Sequence, residues 1–177
     1  MNGSYLVVAG LCLAALAVRT SYELLKKAGR VDTKDRALFA VVFVAMGVML
    51  GSWPFMSRLD PWRLAGPGGV RWIGLGLAAA GAALAIGGVL QLRGLENIDH
   101  LVTTGLYSRL RHPMYAGFVL WIGGWVVAYG AVVSACVGLA GVANILYWRH
   151  LEEGALESLF GEDYRVYRRA TWFCDRR

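Results

Sequence analysis

TTGLYSRLRHPMYAG (residues 103–117) decides how the rest of the chain is read. Gly, Tyr, Arg, His and Pro crowd together here, then give way to an apolar run, residues 118–148, that ends in Arg149-His150-Leu151-Glu152-Glu153. If the run crosses a membrane and returns, the polar cluster before it and the carboxylates after it meet at one surface. Proline suits the first turn of a helix, where its missing N–H would have no partner anyway. His112 then stands at a helix N-terminus, where free backbone N–H groups and the dipole favour an anionic ligand group. Gly105 permits a turn that other residues resist, and Tyr107 and Tyr115 add rings and hydroxyls.

Outward from that stretch the composition is that of a membrane protein. Of 177 residues, 57% are hydrophobic and 17% charged, with mean hydropathy +0.49. Soluble domains carry about 45–50% apolar and about 25% charged residues. One bilayer crossing takes about 20 residues, so residues 118–148 predict a tight helical hairpin turning at Tyr129-Gly130. Ahead of it, three further spans are expected: residues 5–18, extended by Ser21 and Tyr22; residues 37–56, closed by Trp53-Pro54; and residues 70–92. In the third, Gly74, Gly76, Gly81, Gly87 and Gly88 suit close helix approach. The first is not read as a signal peptide, because residues 1–4 carry no positive side chain.

The expected fold is therefore all-α: a polytopic membrane protein of about five transmembrane helices, with a tight helix 4–5 hairpin and a cytosolic C-terminal amphipathic helix. It reads as a single transmembrane domain, residues 1–69 supplying two N-terminal spans and residues 70–177 the core. With five spans, fifteen Lys and Arg fall on one side and only Arg58, Arg63 and Arg71 on the other. By the positive-inside rule the N-terminus is outside and the C-terminus cytosolic, in the plasma membrane if the chain is bacterial. Topology thus accounts for the net charge of +6, and nucleic-acid binding is not expected. The three cysteines, Cys12, Cys136 and Cys174, match no disulfide or zinc pattern.

This topology gathers His100, His112, His150, Glu152 and Glu153 at the cytosolic interface. A b-type haem needs histidines within the spans, which this arrangement does not provide, and the spacings match no standard metal-ligand pattern. Arg111-His112 also has a plainer reading, as an interfacial anchor of arginine and aromatic rings. Glu152 and Glu153 gain nothing from a helix dipole so far from an N-terminus. Pointing about 100° apart on a helix, they need different partners; surface ion pairs with Arg149, worth about 0.3–0.5 kcal/mol each, are the plain alternative. The fifth helix is expected to run to Phe160 and stop at Gly161. Tyr164, Tyr167 and Arg168 then follow at helical spacing, as on an amphipathic interfacial helix. Gln91, Glu96 and Asn97 stand where the third span leaves the membrane.

Taken in order, Gly105-x-Tyr107, Arg111-His112-Pro113-x-Tyr115-x-Gly117, an apolar hairpin and Glu152-Glu153-x(6)-Phe160-Gly161-x-x-Tyr164-x-x-Tyr167 resemble the isoprenylcysteine carboxyl methyltransferase family and its relatives, the phospholipid N-methyltransferases. The resemblance covers roughly residues 88–170. It implies S-adenosylmethionine as cofactor, held at the cytosolic face by Gln91, Gly105, Tyr107, Arg111, His112, Pro113, Tyr115, Glu152, Glu153 and Tyr164. It implies a lipophilic acceptor from the bilayer, a prenylcysteine-type carboxylate or a lipid amine or acid. Arg168 or Arg149 would orient a carboxylate, and Glu153 would take the proton of an amine. No metal is implied. Leu106 stands where that family commonly has proline, Ser108 where it has an aromatic or basic residue, and Ala170-Thr171-Trp172-Phe173 replaces a proline-containing ending. The alternatives are a membrane reductase of sterol-reductase type using a nicotinamide cofactor, and a non-catalytic membrane interaction protein.

Overall fold

The computed structural model describes residues 3–32, 35–66, 68–92 and 100–172. Of the residues named above, Glu96, Asn97, Phe173 and Cys174 lie outside them, as do four of the fifteen Lys and Arg: Lys34, Arg93, Arg176 and Arg177. The described residues form five helices, α1 (Gly3–Lys27), α2 (Arg36–Leu59), α3 (Gly68–Gln91), α4 (Pro113–Tyr129) and α5 (Val132–Ala170), with a 3₁₀ turn at Gly105–Ser108. Four are long and apolar enough to span a membrane, and α4 is a shorter apolar helix of 17 residues. The chain is an all-helical, polytopic integral membrane protein.

Inside a bilayer the helices gain nothing from hiding apolar surface from one another, so close packing and satisfied polar groups must hold them together. The seam between α3 and α4 shows the first device. Gly74, Ala78, Gly81, Ala85 and Gly88 of α3 face Gly117, Gly124 and Ala128 of α4, and a Cβ added at Gly81 would lie 2.5 Å from the Trp121 backbone nitrogen. The expected stripe is therefore shifted. Gly76 meets nothing within 4 Å, and Gly87 touches only Leu106 of the loop.

A second device corrects the expected end of α2. Pro54 lies inside this helix, which continues to Leu59. Proline removes the N–H that would bond Leu50, and the Trp121 indole of α4 donates to that Leu50 carbonyl instead, at 2.9 Å. With the carbonyl satisfied, the helix need not stop. The first helix also outruns its predicted end, reaching Lys27 rather than Tyr22.

The hairpin turn falls at Tyr129-Gly130, Gly130 taking φ +59°. The α2–α3 connection clasps it: Leu64 N–H donates to Gly130 and Val132 N–H to Trp62, each at 2.9 Å. Buried Asp60 caps α5 from outside, accepting from the Ser134 N–H and hydroxyl at 2.6 Å each. A carboxylate at a helix N-terminus is favoured by the dipole. Trp53, Met56, Ile145 and Trp148 fill the core.

Gly81→Val should lower stability by about 1–3 kcal/mol, the usual cost of overpacking, whereas Gly76→Ala should change it by less than about 0.5 kcal/mol. Thermal melting in detergent measures both; equal effects would contradict the assigned seam.

Candidate active site

The site is assembled where α4 begins. Gly105 takes φ +60°, and the Gln91 amide fills the space a Cβ would need, accepting from Leu106 N–H at 2.9 Å. This holds the 3₁₀ turn against the end of α3. Tyr107 is buried on that turn, donating to the Gly88 carbonyl at 3.3 Å and receiving Tyr167 on its own carbonyl at 2.7 Å. Burial, reinforced by the charge of Glu152, pushes the Tyr107 hydroxyl well above the ordinary tyrosine range. Burial pushes that of Tyr167 up to about 12. Both stay protonated donors at neutral pH.

Arg111 and His112 are 3% and 5% exposed. Arg111 donates to the carbonyls of Arg168 at 2.7 Å and Thr171 at 2.8 Å, and its Nε to Glu153 at 3.3 Å. Alongside it, Trp172 N–H donates to Arg109 at 2.9 Å, so the chain after α5 is laced to the loop before α4. The proline places His112 as expected: Pro113 is the first residue of α4 and His112 its N-cap. The imidazole stacks on Tyr115, centroids 5.5 Å apart. Its Nε2 lies 3.1 Å from Glu153 Oε1, and its Nδ1 3.7 Å from Glu152 Oε2.

The apolar part of α5 ends near Trp148, and Glu152 and Glu153 lie beyond it. They have different partners, as their angular separation requires, with His112 between them. Burial pushes the Glu153 carboxyl up, but His112, with Arg149 and Arg111, outweighs burial and holds it down at about 2. Since a carboxylate only accepts, His112 must carry a proton on Nε2. Glu152 differs. The Tyr115 hydroxyl faces it, and its Oε2 is buried with no hydrogen bond among the described residues, the His112 Nδ1 at 3.7 Å being an ion-pair neighbour only. The plain surface-pair reading therefore fails for Glu153, which is bonded across helices to Arg111 and His112.

These groups close one end of a cavity of about 900 Å³. Tyr107, Arg111, His112, Tyr115 and Glu152 line it, as do His100 and His150. Its apolar wall includes Phe39, Phe43 and Met46 of α2 and Ile86 and Leu90 of α3. Gln91, Gly105, Pro113, Glu153, Tyr164, Arg149 and Arg168 are not among the lining residues. Glu153 and Gly105 hold those that are. Arg168 is largely exposed, facing Glu157 at 3.5 Å, and Tyr164 is fully buried, its hydroxyl without a partner among the described residues. Beyond the kink at Gly161 (φ 51°), Tyr164 and Tyr167 turn inward and Arg165, Arg168 and Arg169 outward. Sequence reasoning missed α1: Arg19, Glu23, Lys26 and Lys27 all line the cavity. Their spacing on one helical face was the available signal.

Fold and cavity together define an integral membrane protein that presents a buried polar pocket, open along one side to apolar walls, at one end of its helices. The chain belongs to the phospholipid methyltransferase family, whose model matches residues 71–163, more than half of its length. It is 36% identical over 81 residues to the protein-S-isoprenylcysteine O-methyltransferase of Schizosaccharomyces pombe, covering 42% of this chain and 32% of the yeast protein. It is 34% identical over 107 residues to the methanethiol S-methyltransferase of Pseudomonas deceptionensis, covering 55% of this chain and 40% of that protein. The chain thus spans less than half the length of either relative. No solved structure matches.

Glu153→Gln should cost about 1.5–3 kcal/mol, the range for hydrogen bonds to charged groups. Because folding depresses this carboxyl, its contribution is present above the ordinary carboxylate range and lost as pH falls through about 2. Denaturation followed from neutral pH into acid should show that loss in the parent and a flatter limb in the variant. Matching acid limbs would contradict the arrangement.

Proposed function

We propose that this chain is an S-adenosylmethionine-dependent methyltransferase acting on a lipophilic acceptor that reaches the cavity from the bilayer. The observation that carries the reading is the Glu152 carboxylate: one oxygen is buried, has no hydrogen bond among the described residues, and belongs to a residue lining the cavity. A ligand ammonium or ribose hydroxyl supplies the missing donor. The family and the named activities of both relatives, O- and S-methyl transfer, support the same chemistry.

Bound there, the cofactor supplies a methyl group on a positively charged sulfur, which leaves as a neutral thioether. No general acid is needed, so the protein's task is alignment, with reacting atoms about 3–3.5 Å apart. His112 and Tyr115 shape the polar end, stacked on one another and fixed by Glu153. Tyr107 closes it against α3. Arg111 and Glu153 act from behind, positioning His112 and the loop. Residues 70–177 form the catalytic core, with α1 and α2 completing the acceptor wall. The basic ends face the cytosol, consistent with the charge asymmetry, and in a bacterial cell the host is the plasma membrane. A carboxylate or thiolate acceptor needs no base.

The test is methyl transfer by the chain in lipid vesicles, following label from methyl-tritiated S-adenosylmethionine into the organic extract of added prenylcysteine analogues, thiols or lipid amines. Turnover is expected with at least one class, falling about tenfold or more in Glu152→Gln. Folded protein with no transfer to any class would contradict the reading.

A further inference from the structure

We propose that α1 determines acceptor specificity by recognising an anionic head group, a carboxylate or a phosphate, with Arg19 as its principal contact. The proposal rests on the methyltransferase reading and names the acceptor class which that reading leaves open.

Arg19, Glu23, Lys26 and Lys27 line the cavity, and spacings of four, seven and eight residues from Arg19 place them on one helical face. This face carries three cations against one carboxylate. It lies outside the segment matched by the family, residues 71–163, and so belongs to this chain's own first helix. Arg19 is held firmly. Its side chain is 12% exposed, and its guanidinium lies 5.6 Å from the Tyr22 ring centre and 5.2 Å from that of Trp148. One nitrogen donates to Glu23, the hydrogen-bond partner it reaches among the described residues. A guanidinium offers five N–H donors in a rigid fork suited to carboxylates and phosphates. A fork braced between two rings and bonded through one nitrogen to Glu23 keeps donor capacity for a ligand.

The other walls explain the rest of the acceptor. Phe39 and Phe43 of α2 and Ile86 and Leu90 of α3 suit an aliphatic or isoprenoid tail. Such an amphiphile, lying along them, brings its head to α1 beside Glu152. Among the Lys, Arg, Asp and Glu residues lining the cavity, Arg19, Lys26, Lys27 and Arg111 outnumber Glu23 and Glu152. An anionic head is therefore drawn along Lys26 and Lys27 to Arg19, whereas an amine head meets a net positive wall once the cofactor's ammonium has engaged Glu152. A purely structural Arg19, tying α1 to α5 through Trp148, would affect stability without sorting head groups.

The experiment uses the full chain in a neutral detergent with S-adenosylhomocysteine present, and four probes sharing one farnesyl tail: N-acetyl-S-farnesylcysteine, farnesyl phosphate, farnesol and farnesylamine. Affinities come from thermophoresis. The parent should bind one or both anionic probes at least about tenfold tighter than farnesol or farnesylamine, the tighter of the two identifying the head group. Arg19→Gln should bring the four within about threefold. Because that change leaves Glu23 unpaired, Arg19→Gln/Glu23→Gln is measured too, replacing the ion pair by two amides. A parent that binds farnesol or farnesylamine as tightly as the anions, or a preference that survives in a folded variant, overturns the proposal. The same samples are titrated with S-adenosylhomocysteine. Saturable binding without head-group preference overturns the α1 assignment alone, whereas no binding by the parent overturns the methyltransferase reading beneath it.

Discussion

The site depends on one carboxylate. Glu153 Oε1 takes the Nε2 of His112 at 3.1 Å and the Nε of Arg111 at 3.3 Å. Arg111 in turn reaches the carbonyls of Arg168 and Thr171. Three separate parts of the chain, the loop before α4, the end of the apolar part of α5 and the segment beyond its kink, are joined through this group. A half-satisfied polar network is costlier than none, so the cluster holds together only as a whole. It also separates the two adjacent glutamates: Glu153 is bonded to Arg111 and His112, whereas Glu152 lines the cavity with a buried Oε2 that makes no hydrogen bond among the described residues.

The helices impose the second constraint. Whereas α5 runs for 39 residues and continues well past its apolar part, α4 is only 17 residues long, about 25 Å of rise. The small-residue seam brings α3 against it backbone to backbone, carrying the end of α3, and with it Gln91 and Gly88, up to the 3₁₀ turn. Opposite, α1 and α2 lean on α4 and α5 through the core around Trp53 and Trp148. The cavity is what remains between these packed pairs at the polar end. That arrangement gives it one charged wall and two apolar ones.

Much of this was legible in the sequence, and the reasons differ by element. The hairpin was readable because a run of apolar residues too long for one crossing holds a glycine where a left-handed turn is needed. His112 followed from proline's fixed place in the first helical turn. The end of α2 was misread because proline's usual effect is local, whereas the indole that rescues Leu50 comes from Trp121 on another helix, a contact invisible to a one-dimensional reading. The cavity wall on α1 was missed for a related reason. Arg19, Lys26 and Lys27 were used to orient the chain across the membrane, and a charge at a helix end serves topology and ligand equally well until its neighbours are known. Gln91 and Gly105, expected among the cofactor contacts, stand instead as the strap and turn behind the cavity and are not among its lining residues.

The central claim is that this polar pocket is a cofactor site rather than an interfacial anchor. Calorimetric titration of the monodisperse chain in detergent with S-adenosylhomocysteine tests it most directly, since binding needs no knowledge of the acceptor. The account predicts saturable binding close to one per chain, at a level set by Glu152. Folded protein that gives no heat of binding at any concentration, with melting unchanged by the ligand, would contradict it and return Arg111, His112 and the two glutamates to a purely structural role.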